Sequence, residues 1–297
     1  MSKHHWHILG AGAIGCLYAE ALHRAGCQTT LLLRSGGPGQ QALVVEREES
    51  RCETPLPIAS PENCGGISHL LVTTKAYDVG SAVQSIAHHL GADSTALVLV
   101  NGMGLAAQLQ RDFPQLDIFS GTTTEGAYRI APLHIRHAGH GETRIGRKGQ
   151  EQPAPWFHSW SGALGNCVWD SDIDAALWEK MAVNCVINPL TAIYRCRNGD
   201  LAQRPELARQ VDSVCTEITQ VSYAAGFTST AQTLQQTVAR VIAGTAANRS
   251  SMLQDVSAGR RTEIDYITGY LLQVARDHGI VAPHNTDLFE RVKNIAD

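Results

Sequence analysis

No stretch of this 297-residue chain approaches the ~20 consecutive apolar residues that a membrane-crossing helix requires, so no membrane span is expected. Nor is there a run of basic residues or a basic patch interleaved with aromatics. With a formal net charge of −4, nucleic acid is set aside as a main partner. Internal repeats and low-complexity tracts are also lacking. Charged residues make up only 18% against 43% hydrophobic, the ordinary balance of a globular protein with a sizeable core, and the length predicts roughly two domains. The eight cysteines include no CxxC pair, which favours free, mostly buried thiols in a reducing compartment. The N-terminus passes directly into an apolar strand, leaving no room for a signal peptide, and a cytoplasmic location is expected. Thirteen histidines invite a metal reading, most of all His134, His137 and His140 and the run His4-His5-Trp6-His7. Neither group has metal-site spacing backed by carboxylates or cysteines, and both lie in strand-like segments whose side chains alternate faces, so no metal is expected.

What is there begins with alternation. Strands are predicted at 6–9, 29–33, 70–74, 96–100 and 116–120. Helices are predicted from the first glycine turn to about 25, at 77–90, and from Leu105. That order is the signature of a doubly wound parallel sheet. A small hairpin excursion is expected between 43 and 58, and an antiparallel extension of the same sheet between 125 and 147. Past about 170 the pattern changes to long helical periodicities, at 173–196, 204–225, 229–257, 263–278 and 286–296. Gly226, Gly259 and Gly279 lie near the joints, and Pro205 and Pro283 near helix starts. The expected architecture is a Rossmann-type α/β domain over 1–170 followed by an all-α helical domain over 171–297.

The first strand runs into Gly10-Ala11-Gly12-Ala13-Ile14-Gly15. Gly10 permits the tight turn, Gly12 lets backbone approach a pyrophosphate, and Gly15 lets the following helix pack on the sheet, while helix-end N–H groups meet the phosphates. An isolated match to this pattern is weak; a strand before it and a βαβ unit around it give it weight. At the end of the second strand stands Arg34, where an acidic residue would accept from a ribose 2′-OH. Its fork of donors suits a 2′-phosphate and points to NADP rather than NAD, the bland alternative being a solvated arginine in a loop. Thr74-Lys75 and Asn101-Gly102 also follow strands, with residues 122–127 as a further set. Each alone reads as a solvated loop; together, on successive strands, they favour one ligand crevice.

In the helical half, Lys180, Asn184 and Asn188 recur at i, i+4 and i+8 and project from one side of a helix. The ladder is either the solvated face of an amphipathic helix or the lining of a cleft, and two amides are odd choices for a solvated face. Pro189 is expected to kink or break the helix just beyond it. Asn248 and Ser251 form an i, i+3 pair late in a predicted long helix. The run 262–265 reads as a capping box that places Glu263 in the first turn of the next helix, where it would serve helix electrostatics.

Three blocks carry a resemblance: Leu177-Trp178-Glu179-Lys180-Met181-Ala182-Val183-Asn184-Cys185-Val186-Ile187-Asn188-Pro189-Leu190-Thr191-Ala192, Ser250-Ser251-Met252-Leu253-Gln254-Asp255 and Arg261-Thr262-Glu263-Ile264-Asp265-Tyr266. The chain resembles the ketopantoate reductase family almost end to end. The resemblance implies a Rossmann domain and a helical domain with the active site in the cleft between them. It also implies reduction of ketopantoate (2-dehydropantoate) to pantoate by NADPH in pantothenate biosynthesis. By that resemblance Lys180 is the general acid, and on charge grounds an ionised Glu263 would keep it charged and aimed. Asn184, Asn188 and Asn198 contact substrate, and the segment from Asn248 through Ser250 to Ser251 holds its hydroxyl and carboxylate. Arg34, Lys75, Asn101, Ala127 and Glu263 fall where the family contacts NADP, Asn101 touching substrate as well. Arg249 and Glu125 depart from the family pattern and receive no role. A two-domain reductase of another 2-keto or 3-hydroxy acid is the nearest alternative, and a non-catalytic NADP sensor a more distant one. A homodimer is compatible with the sequence.

Overall fold

Strand β1 (His5–Leu9) is apolar enough to be buried on both faces, and it turns through glycine into α1 (Ala13–Arg24), whose residues from Gly15 to Leu22 are all buried. The computed structural model describes residues 4–34 and 39–296, and it divides into two units, 1–100 with 105–174 and 101–104 with 175–297.

In the first unit, β2 (Gln28–Leu32), β3 (Gly39–Glu46), β4 (Arg51–Ala59) and β5 (Ile67–Val72) precede α2 (Val79–Ser85) and β6 (Leu90–Val98). Then come α3 (Leu105–Asp112), β7 (Asp117–Thr123), β8 (Gly126–Ala131), β9 (His134–Gly139), β10 (Thr143–Gly146), α4 (Phe157–Ser161) and β11 (Cys167–Trp169). Among the described residues, all eleven strands form one sheet in the order β11-β10-β7-β6-β5-β1-β2-β4-β3-β9-β8. Its centre is parallel, as βαβ connections require, with β1 paired to β2 and β5, β5 to β6, and β6 to β7.

Two expectations need correction here, over 43–58 and 77–90. The 43–58 hairpin is no excursion: β4 pairs parallel with β2, and Leu43, Val45 and Leu56 are fully buried, so the core recruits it into the sheet. The 125–147 segment is, as expected, an antiparallel extension of the same sheet, divided between two sides of it. β8 and β9 add beyond β3, whereas β10 returns antiparallel to β7 at the other side. The helix expected over 77–90 is only the short α2 between two 3-10 turns. Ser94 Oγ accepts from Gly91 N at 2.9 Å and donates to the Ile67 carbonyl at 2.6 Å, drawing the segment from Leu90 into the sheet.

Only Thr124 and Glu125 join β7 to β8, yet these strands lie near opposite ends of the sheet order. The sheet therefore folds over α1, which packs against β1 and β2 on one side and β3, β8 and β9 on the other. That wrapping explains why α1 buries its whole circumference, Glu20 included; the Glu20 carboxylate is met by Arg47 at 2.7 Å and Arg24 at 3.2 Å.

The second unit is helical: α5 (Ile173–Tyr194), α6 (Asp200–Gln203), α7 (Pro205–Ala224), α8 (Thr228–Gly244), α9 (Ser251–Ser257), α10 (Thr268–Asp277) and α11 (Pro283–Ala296). Trp178 anchors its core, stacking on Phe227 at 4.4 Å and donating its indole N–H to Ser222 Oγ at 2.9 Å. Pro189 does not end α5. From Met181 to Ala192 every residue but Asn184 is buried, and that packing outweighs the lost backbone bond. The long helix expected over 229–257 is two helices, because the Asn198 N–H binds the Asn248 carbonyl at 3.1 Å and the Gly199 N–H that of Ala246 at 3.0 Å, pulling 245–250 out of helical geometry. Ser250 then restarts the chain as N-cap, accepting from Leu253 N. Likewise α10 begins at Thr268 rather than 263. α11 begins at Pro283, where Glu217 accepts from the N–H groups of His284 (2.8 Å) and Asn285 (2.9 Å). Among the described residues no helix is long and apolar enough to cross a membrane.

Candidate active site

In the first unit the glycine turn is set by close contacts. Gly10 has φ +113°, and a Cβ there would lie 2.6 Å from Thr74 N. A Cβ on Gly15 would lie 2.0 Å from the Gly10 carbonyl oxygen and 2.5 Å from Thr73 Oγ1. Gly12 differs, since a Cβ there would meet no atom within 4 Å. Two glycines are thus demanded by the fold and one stands over open space, the arrangement of a cradle that admits a ligand. Gly12 caps α1 without a side chain, so the first-turn amides, Ala13 and Ile14 among them, have no intrahelical acceptor and suit an anion.

Around this turn the fold gathers several predicted residues. Thr73 Oγ1 donates to the Gly10 carbonyl at 2.8 Å, and Thr74 Oγ1 is buried with no partner among the described residues. Lys75 precedes the 3-10 turn Ala76–Asp78, whose Asp78 accepts from the Arg34 guanidinium at 2.6 Å. Arg34 is 79% exposed, so its remaining donors are open to a ligand. Ala127 lies on β8, and two residues on, Arg129 donates to the Ala11 carbonyl at 3.2 Å. Arg129 escaped the sequence reading because nothing local says that β8 crosses over the glycine turn; its place beyond the 122–127 set was the only hint.

In the second unit, Lys180, Asn184 and Asn188 share one side of α5. Burial lowers the Lys180 ammonium from 10.5 to about 8, and the attraction of Glu263 opposes that fall. Glu263 is only 4% exposed and accepts from Asn101 Nδ2 at 3.4 Å. It lies ahead of the 3-10 turn Ile264–Tyr266 and not in the first turn of a helix, which corrects the capping-box expectation. Asn101 reaches it because the loop 101–104 is fastened here: Met103 N–H donates to the Tyr266 carbonyl at 3.3 Å, and a Cβ on Gly102 would lie 2.5 Å from that same oxygen. Sequence offered no sign that this loop belongs with the helices.

Asn188 and Asn198 are buried, and Asn184 is partly so. Asn198 donates to Thr245 Oγ1 at 2.8 Å, while its Oδ1 is buried with no partner among the described residues, an acceptor ready for a substrate donor. Asn248, Arg249 and Ser251 are exposed, with Asn248 in the connection and not on a helix. Ser250 is committed to its cap and lies 2.7 Å from Thr191 Oγ1, a structural use of its hydroxyl.

The histidines also differ from expectation, since carboxylates do meet them. His134 pairs with Glu46 at 2.9 Å and His137 with Glu125 at 2.6 Å. A cavity of about 560 Å³ lined by His4, His69, Asp117, Arg147 and Trp156 contains none of the predicted site residues.

Against known proteins, residues 6–150 match the family described as ketopantoate reductase PanE/ApbA, and 172–296 match its C-terminal counterpart. The chain is 40% identical over 288 residues to the 2-dehydropantoate 2-reductase of Shigella flexneri, covering 96% of this chain and 93% of that protein. It is 36% identical to that of Vibrio cholerae, covering 97% and 96%. Among solved structures, a PanE/ApbA family ketopantoate reductase from Ralstonia eutropha superposes with TM-score 0.88 at 26% identity over 98% of both chains. A D-mandelate dehydrogenase bound to NADH and anilino(oxo)acetate shares the fold at TM-score 0.85 and 23% identity, covering 98% of both chains.

Proposed function

Because the chain belongs to the ketopantoate reductase family, and with it reduces 2-dehydropantoate to pantoate, we propose that it does so with NADPH as reductant and Lys180 as general acid. The observation that carries this reading is a lysine amine lowered by burial to about 8 beside the buried carboxylate of Glu263, on the same helix side as two amides.

NADPH, when bound, supplies the hydride to the ketone carbon. The residues suited to hold it are the glycine turn from Gly10 to Gly15, Lys75, Ala127 and Arg34, with Asn101 and Glu263 as further contacts. Arg34 offers its free donors to a 2′-phosphate, the group that separates NADPH from NADH. As the carbonyl is reduced, negative charge grows on its oxygen; the Lys180 ammonium hydrogen-bonds that oxygen and then gives it a proton. Glu263 favours the charged amine, and Asn101 orients Glu263 by hydrogen bond. Asn184 and Asn188 offer amides beside the lysine, and Asn198 Oδ1 accepts a substrate hydroxyl. The exposed Asn248 and Ser251 supply donors for the carboxylate.

The test follows NADPH absorbance with ketopantoate, with pyruvate-like acids, and with NADH in place of NADPH. The expected result is a kcat/KM for ketopantoate well above those of the smaller acids, and a preference for NADPH. A preference for another 2-keto acid would reassign the substrate, since the fold shared with D-mandelate dehydrogenase does not choose between them. Tight NADP binding with no oxidation by any keto acid would leave a sensor.

A further inference from the structure

We propose that Glu125, His137 and His140 form a binding site for a divalent cation of the zinc class, which ties together the two places where the chain crosses from one edge of the large sheet to the other. Each of these residues offers one ligand atom, and the three atoms lie within 4.8 Å of one another. A tetrahedral site with bonds of 2.0–2.1 Å sets its ligand atoms about 3.3 Å apart, so closure needs side-chain adjustment of an ångström or so. Among the described residues no other group of histidine, cysteine, aspartate or glutamate converges in this way. The N-terminal histidines only meet ring to ring, His4 edge-on to His69 and His5 tilted against His7.

Two features point to a ligand here rather than to a plain ion pair. The side chains of Glu125 and His137 are 4% and 2% exposed, so a carboxylate oxygen and a ring nitrogen, His137 Nε2, already lie 2.6 Å apart in the interior. The exposed His140 adds its ring edge-on at 4.5 Å from that of His137, offering a second nitrogen that a buried Glu–His pair has no use for.

The backbone that carries the three groups is already fixed. Glu125 lies in the link from β7 to β8, and His140 in the link from β9 to β10. Thr124 N–H donates to the Glu142 carbonyl at 2.9 Å, and Glu142 N–H returns to Thr124 Oγ1 at 2.9 Å. Glu125 N–H is held by Thr123 Oγ1 at 3.1 Å, and Gly126 pairs with Gly139. Little ordering therefore remains for a metal to impose. Two imidazoles with one carboxylate, and room for water on the exposed side, is a borderline donor set that favours Zn²⁺ or Co²⁺ over Mg²⁺ or Ca²⁺. On binding, the cation takes the place of the proton between His137 Nε2 and Glu125 and that proton passes to Nδ1, so the imidazole stays neutral and no proton is left over.

The test uses the full chain stripped of metal with a chelator. Co²⁺ is expected to bind one equivalent with the visible absorption of a tetrahedral centre, and Zn²⁺ to displace it. Both H140A, at an exposed position that should not disturb folding, and E125Q should weaken Zn²⁺ by roughly 10–100-fold and abolish the cobalt spectrum. Removing His4, His5 and His7 should leave both unchanged. The proposal is overturned if H140A binds like the unaltered chain, if the N-terminal variant is the one that loses metal, or if the unaltered chain takes up no cobalt.

Discussion

Replacing Glu263 by glutamine should move the pH dependence of the reaction before it changes anything else. Lys180 carries its proton up to a pH of about 8, so the free enzyme's log kcat/KM for reduction should be level at neutral pH and fall as pH rises through 8. Burial alone would take the amine lower, and Glu263 is what opposes it. A nearby carboxylate is commonly worth 1–3 units, so Glu263→Gln should bring the falling limb down to roughly pH 5–7. At pH 7.5 the loss then ranges from about threefold to more than a hundredfold, and it is recovered on acidification because the lysine itself is intact. Glutamine can still accept from Asn101, so the loop 101–104 keeps its fastening. Lys180→Ala should instead remove the limb and lower kcat by about 10²–10⁴ at every pH, or roughly 3–5.5 kcal/mol of barrier. The assay is steady-state NADPH oxidation with ketopantoate across pH 5–10 for the three proteins. A Glu263→Gln enzyme whose limb stays at about 8 while its rate drops uniformly would refute the claim that this carboxylate sets the lysine's charge.

Lys180 should also leave a signature in stability. The unfolded chain holds this proton to 10.5 and the folded one only to about 8, so between those values the unfolded state binds more protons and stability rises with pH. Against Lys180→Met, the unaltered protein should gain roughly 3 kcal/mol from pH 8 to 10.5 in denaturant unfolding, and a pH-independent difference would contradict this. Arg34→Ala should weaken NADPH by roughly 1.5–3 kcal/mol, towards the lower figure given its exposure, with NADH nearly unchanged; equal losses for both in fluorescence titration would count against a 2′-phosphate role. Arg129→Ala, beside the turn that meets the shared pyrophosphate, should cost both cofactors about 1 kcal/mol alike. Gly12→Ala should keep the melting temperature and lose cofactor affinity. Gly15→Ala, with its Cβ 2.0 Å from a carbonyl oxygen, should lose roughly 1–3 kcal/mol of stability; the reverse pattern would remove the cradle assignment.

The parts of this molecule legible from sequence are those whose causes are local. Gly10 and Gly15 announce a turn because only glycine tolerates those contacts, and Lys180, Asn184 and Asn188 announce a shared helix side because the helical repeat puts them there. What stayed hidden has its cause elsewhere in the chain. The break before Ser250 comes from backbone donors at Asn198 and Gly199, and nothing in the Ala-rich run it interrupts signals it. Pro189 stays within a helix because its neighbours are buried on all sides. Asn101 meets Glu263, and Glu125 meets His137, through loop placements that no spacing rule contains.

The strand crossing at Thr124 and Glu125 bears on how the first unit assembles. Hairpins β3–β4 and β8–β9 can each form early from nearby sequence, but the register that joins Val44 to His134 brings together distant parts of the chain and shuts the sheet around α1. The helix must be laid down before the door closes, or it is locked out. Folding should accordingly end in a slow docking of the last hairpin, and a nascent chain halted at residue 123 would show water one flank of a helix that the finished protein keeps dry, making that intermediate the one most prone to clump.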